Sequence, residues 1–264
     1  PLPRRGTPPP RAAGSRRLAP PSGPRERVGA LVAVTLRLAL DTTGHGGAVV
    51  LARDAEILAE AVHDAARGYA EHLFGLLDDV LATAGVDRGR IDAIGVVGGP
   101  GSFTGLRIGV VTAKTLAMVL DRPLLAAGTL PLVASGARGP GCAVAAAGGG
   151  CVWRLAFDDP DSVTRERVER VEIDSLVADR PLFAADPRVV EALVAEGIAA
   201  DRIHRTAPLA RLLIAAAATG HPCVEAVDPS AYVPEYVSPS QAERVHGVDL
   251  REELSRPIRP RGWS

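Results

Sequence analysis

Six histidines, three cysteines and one glycine-rich stretch are the groups in this sequence best equipped by type to do chemistry. His45, His63, His72, His204, His221 and His246 are scattered. None forms the H-x-x-x-H or H-E-x-x-H pair that sets two imidazoles around one metal ion. Cys142, Cys151 and Cys223 are odd in number and lack C-x-x-C spacing, so neither a zinc knuckle nor a disulfide framework is expected, and a reducing compartment fits. No stoichiometric metal and no cofactor are therefore expected. Ser102 and Cys151 are nucleophiles by type, but the sequence assigns no His–Asp partners to either, which argues against a hydrolase. Asp41, followed by Thr42 and Thr43, is read as a turn cap in preference to a carboxylate facing a metal or phosphate.

The glycine-rich stretch runs from Gly98 through Gly99, Pro100, Gly101, Ser102, Phe103, Thr104 and Gly105 to Gly109. It has the form of a strand–turn–helix corner. Gly98, Gly99 and Gly101 admit close backbone approach, and Ser102 or Thr104 can cap the helix. Free N–H groups at such a corner can hold a phosphate. The stretch is not a P-loop, since no Gly-Lys-Ser/Thr closes it, and Thr104 occupies the third-glycine position of a dinucleotide fingerprint. A nucleophile elbow fails as well, because Pro100 precedes Ser102 where glycine is required. Beyond the corner, Gly105, Gly109, Ala113 and Ala117 recur every four residues and leave one helix face almost without bulk. An interior helix glycine costs about 1 kcal/mol relative to alanine, so close approach by another backbone must offset it. That backbone belongs either to this chain or to a partner.

The elements that position these groups are legible in the apolar periodicity. Leu36–Leu40, ending at Asp41, Ala48–Leu51 and Glu56–Ala61 read as strands, and Tyr69–Ala84 as a helix with Leu73, Leu76, Leu77, Val80 and Leu81 at helical spacing. Ile94–Val97 is a short buried strand, Thr104–Leu120 a helix and Leu124–Ala127 a strand. Three strands and then alternating helices and strands predict an α/β fold with a mixed sheet. In the second half, strands are expected at Ala143–Ala147, Val152–Phe157, Val168–Ile173 and Leu182–Ala185, and helices at Val189–Ala195 and Pro208–Ala218. The expected division is a Pro/Arg-rich, disordered extension (1–35), an N-terminal lobe (36–130), a C-terminal lobe (131–237) and a polar tail (238–264).

With 264 residues, 47% of them hydrophobic, the chain can bury one large core or two small ones. A net charge of −1 gives no support to a globally nucleic-acid-coating protein. The apolar run Val28–Leu36 mimics a signal peptide, but Arg37 and Asp41 break the apolar character just beyond it. No cleavage site is evident, so a cytoplasmic location is expected. Val34 is the expected start of translation if a valine-type codon is used, and removing residues 1–30 is expected to leave folding intact.

Leu38–Thr43, Gly99–Gly109 and Leu73–Gly85 with its Asp78 strongly resemble the TsaB (YeaZ) family over roughly residues 36–133, and Tyr232–Val237 resembles that family's closing Pro-x-Tyr segment. The resemblance implies an actin-like, hexokinase-type fold of two lobes and a subunit without catalysis of its own. It also implies that the helices at 69–84 and 104–120 bundle with their equivalents in the paralogue TsaD, which carries the metal and forms threonylcarbamoyladenosine beside the tRNA anticodon. The ATPase TsaE completes the complex, a homodimer forms when the chain is alone, and tRNA is met only through the complex. The interface expected on this basis is Leu73, Leu76, Leu77, Val80, Gly105, Ile108, Gly109, Thr112, Ala113 and Ala117. A leucine at Gly109 or Ala113 would then break the complex and spare the fold. Gly98, Gly99, Gly101, Ser102 and Thr104 are the expected phosphate contacts, if any. The alternative is an actin-like nucleotide-binding enzyme or a glycopeptidase. The chain departs from the family at Tyr69-Ala70-Glu71, where His-Ser-Glu is usual, and at Gly75, where proline is common. It also departs at Ala145–Cys151, which replaces a polar hairpin.

Overall fold

The computed structural model describes residues 35–44, 46–63, 69–164, 168–173, 176 and 180–234. Residues 1–34 of the extension, the polar tail and His45 and His246 lie outside these residues. The first half contains β1 (Leu36–Asp41), β2 (Gly47–Arg53), β3 (Glu56–His63), α1 (Tyr69–Ala84), β4 (Ala93–Val97), α2 (Phe103–Leu120), β5 (Leu124–Ala127) and α3 (Thr129–Ser135). The second contains β6 (Gly141–Gly148), β7 (Cys151–Phe157), β8 (Glu169–Glu172), β9 (Leu182–Ala184), α4 (Pro187–Ala195), β10 (Ile203–Arg205), α5 (Leu209–Thr219) and β11 (Val224–Val227).

The strands form two sheets of the same design. In the first, β1, β2 and β3 make an antiparallel meander while β4 and β5 extend from β1 in parallel. In the second, β6, β7 and β8 form the meander, and β9 and β10 extend in parallel from β6. This repeated order, with helices on the sheet faces, is the actin-like α/β architecture. β11 adds an antiparallel edge to β5.

Both faces of the first sheet are covered, which is why β4 reads as an unbroken apolar run and β1 is apolar from Leu38 to Leu40. Leu36, Leu38 and Leu40 face an outer cluster with Leu73, Leu77, Val80, Val110 and Ala113. Ala39, Val50 and Val97 face a middle cluster with Leu130, Leu132, Leu213 and Ile214, which also receives Trp153, Leu155 and Phe183 from the second sheet. α3 packs on β6 and β7, α5 on β1, β2 and β4, and the two helices touch one another. The layers are thus α1 and α2, first sheet, α3 and α5, second sheet, α4. A simple cut near residue 130 is corrected by this arrangement, since α5 and β11 return to the first sheet after the second has been built.

Candidate functional site

The glycine corner links β4 to α2. Ser102 is the helix N-cap, its side chain accepting from the Gly105 N–H at 3.3 Å. The Ser102 N–H donates to the Thr43 carbonyl at 2.7 Å, and Thr42 Oγ1 donates to the Gly105 carbonyl at 2.7 Å. Thr129 secures the other side, its N–H donating to the Gly99 carbonyl at 2.7 Å and its hydroxyl to the Pro100 carbonyl at 2.8 Å. The Gly99–Pro100 peptide is cis.

The glycines are seats for this chain's own atoms. A Cβ at Gly105 or Gly109 would fall well under 3.0 Å from Thr42, one at Gly101 under 3.0 Å from Thr43, and one at Gly98 under 3.0 Å from the Tyr232 hydroxyl oxygen. The small-residue stripe is therefore consumed inside the lobe: Gly105 and Gly109 take the β1–β2 turn, while Ala113 and Ala117 join the outer cluster. This corrects the expectation that the stripe faces a partner. Leu73, Leu77, Val80 and Thr112 are buried too, and Leu76 and Ile108 are half-buried at the rim. Of the five corner residues, Gly98 and Gly101 are filled from within, Ser102 is spent on capping, Gly99 accepts from Thr129, and Thr104 is exposed.

Asp41 closes the turn as its sequence context suggested. Its Oδ1 accepts from the Thr43 N–H at 2.9 Å and the Thr43 hydroxyl at 2.7 Å. Burial holds its pKa above the ordinary carboxylate value against those two bonds, and the Asp186 carboxylate of the opposite lobe adds to the rise. Because the folded pKa exceeds the unfolded one, ionisation costs stability. That cost is absent below about pH 4 and grows as pH rises from there through the raised value. Asp41→Asn keeps an acceptor for Thr43 and removes the charge. It should raise the melting temperature by a few degrees at pH 7, with the gain vanishing near pH 3, as thermal melts across pH will test.

Cys151 lies under the β6–β7 turn with its thiol directed to the Gly149 carbonyl at 3.6 Å. His63 and His72 stack with ring centroids 4.4 Å apart. Among the described residues, no group of three or more His, Cys, Asp or Glu is placed to hold a metal ion.

The other notable feature is the outward side of the α1–α2 layer. α2 is apolar enough along its length to pass for a membrane span, yet one side of it lies on the first sheet. Its opposite side exposes Val111 (56%), Met118 (60%) and Val119 (76%), and α1 adds Phe74 (59%). Asp78, Asp79 and Arg107 are exposed on the same two helices. A concentration of large apolar side chains on two neighbouring helices is unusual for a surface with no partner. Sequence reasoning passed over it for the small-residue stripe. The signal was present, since Val111, Met118 and Val119 lie opposite the face that Gly105, Gly109, Ala113 and Ala117 mark as buried.

The family model of TsaD, tRNA N6-adenosine threonylcarbamoyltransferase, matches residues 57–155. The chain is 47% identical over 62 residues to the tRNA N6-adenosine threonylcarbamoyltransferase of Novosphingobium aromaticivorans, a stretch covering 24% of this chain and 18% of that protein. It is 34% identical over 100 residues to the tRNA threonylcarbamoyladenosine biosynthesis protein TsaB of Escherichia coli, covering 38% of this chain and 43% of that one. The chain thus spans less than half the length of these curated relatives. The solved structure of YeaZ from Pseudomonas aeruginosa has the same fold, with a TM-score of 0.57 and 24% identity, and the match covers 77% of this chain and 100% of that one.

Proposed function

We propose that this chain, a member of the TsaB/TsaD family, is a TsaB-type subunit that supports a TsaD-type transferase in forming threonylcarbamoyladenosine on tRNA, without catalysis of its own. The observation that carries the reading is the exposed apolar side of α1 and α2, centred on Phe74, Val111 and Met118. A surface of that kind suits another helix pair, and the TsaD family model overlaps this chain across both helices. The binding face is the outward side of the layer, with Leu76 and Ile108 at its rim, and the small-residue stripe behind it seats α2 on the β1–β2 turn and the outer cluster. The glycine corner serves the fold, being filled by Thr42, Thr43 and Tyr232. TsaE joins through the assembled complex, tRNA is met there also, and the setting is the cytoplasm.

The test is reconstitution. The full chain mixed with the TsaD-type transferase of the same source should co-elute as a complex in size-exclusion chromatography. Threonylcarbamoyladenosine formation by the complete system should fall at least tenfold when this chain is omitted, and the chain alone should hydrolyse neither ATP nor peptides. Separate elution, or turnover of ATP or peptide by the chain alone, would overturn the reading.

A further inference from the structure

The outer face of the first sheet carries a third element. After β11, the chain turns at Asp228, whose carboxylate accepts from the Ser230 N–H and hydroxyl at 2.8 Å each, and whose carbonyl accepts from the Tyr232 N–H at 2.9 Å. The Tyr232 ring then enters the same outer cluster as Leu73, Val110 and Ala113, with its hydroxyl end against Gly98. Since α1 packs on β2 and β3, α2 mainly on β4, and β11 pairs with β5 at the far edge, this segment lies beyond α2, at the sheet's other end. The layer therefore reads α1, α2, strap.

A hydrogen bond fastens the strap to α2. Lys114, the sole lysine of the chain, donates from Nζ to the Tyr232 carbonyl at 2.7 Å. It stands one turn from both Val111 and Met118 on the helix. The residue bonded to that carbonyl is Val233, whose side chain is 67% exposed. The backbone just before Val233 is held by Lys114, and the Tyr232 ring by its seat on Gly98, so the position of Val233 beside α2 is fixed from both.

We infer that the strap is the third strip of the partner-binding face: Val233, positioned by Lys114 and by Tyr232 seated on Gly98, contacts the same TsaD-type chain that covers Val111 and Met118. This rests on the function proposed above. It extends that function by making the C-terminal segment of the lobe part of recognition and Lys114 its positioning residue. It also gives the seat at Gly98 a purpose, since a side chain there would displace the ring that sets the strap's register.

The test measures affinity of the full-length chain for the TsaD-type transferase by calorimetry, beside thermal melts and hydrogen exchange. Val233→Asp should weaken binding at least tenfold while melting like wild type. Lys114→Met should weaken it comparably and speed exchange at 230–234, whereas Lys114→Arg, which keeps a donor, should restore both. Val111→Asp reads the parent reading separately. If Val111→Asp binds at wild-type affinity, the helix face and the strap inference both fall. If Val111→Asp is lost while Val233→Asp binds at wild-type affinity, the strap inference alone is overturned. Should Lys114→Met melt early, Val233→Asp decides by itself.

Discussion

Gly105→Ala is expected to cripple the fold, although alanine is the better helix former. Propensity alone would credit the substitution with about 1 kcal/mol of added stability. The structure reverses that sign. The new methyl would fall well under 3.0 Å from the Thr42 carbonyl oxygen, which is backbone. Neither side can yield, because Thr42 Oγ1 holds the Gly105 carbonyl at 2.7 Å and the Thr43 carbonyl holds the Ser102 N–H at 2.7 Å. Overpacking of a tight contact costs about 1–3 kcal/mol and sometimes more, and a methyl driven into a fixed backbone carbonyl belongs at the upper end. At roughly 2–4 °C per kcal/mol for a chain of this size, the melting temperature should drop by about 10 °C, or soluble protein should fail to accumulate. Circular dichroism melts will measure it. A variant that melts at or above the wild-type temperature would mean that the β1–β2 turn does not rest on α2.

Val111→Asp should do the opposite, leaving the free chain intact and abolishing the complex. Val111 is 56% exposed, so its replacement disturbs no packing, and the melting temperature should stay within about a degree or two, as for surface substitutions worth about ±0.5 kcal/mol. Within a helix–helix contact the same carboxylate would be stripped of water with no partner. A buried unpaired charge costs on the order of 3–5 kcal/mol, which is a loss of affinity of at least about 100-fold. Calorimetric titration against the transferase, alongside the melt, separates a lost interface from a lost fold. Wild-type affinity in a well-folded variant would remove this face from consideration.

The contrast between these two substitutions marks where the sequence was legible. The bounds of α1 were readable to the residue, and those of α2 and the β1–β5 strands nearly so, because apolar spacing and capping residues are local signals. α3 was not anticipated. Leu130 to Ala134 are buried on every side, so no polar face exists to reveal a helical period. β10 and β11, of three and four residues, are defined by their neighbours and not by their own pattern. The stripe on α2 said truthfully that something approaches closely. It could not say that the something is Thr42, a residue more than sixty positions earlier, because spacing within one element carries no address for its contact.

The return of α5 and β11 to the first sheet bears on how the protein is made. Val224 of β11 pairs with Ala127 of β5, and α5 closes the inner face of β1 and β4, with Leu213 against Gly95. On the ribosome, β1 to β5 therefore emerge complete in sequence yet with one face still bare. They must wait for the whole second sheet, on the order of 5–20 s at about 5–20 residues per second, before their cover arrives. During that interval the nascent chain presents the apolar inner surface of Ala39, Val50 and Val97 to water or to whatever shields it. Emergence of α5 and β11, and not completion of the first half, is the event that closes the first sheet.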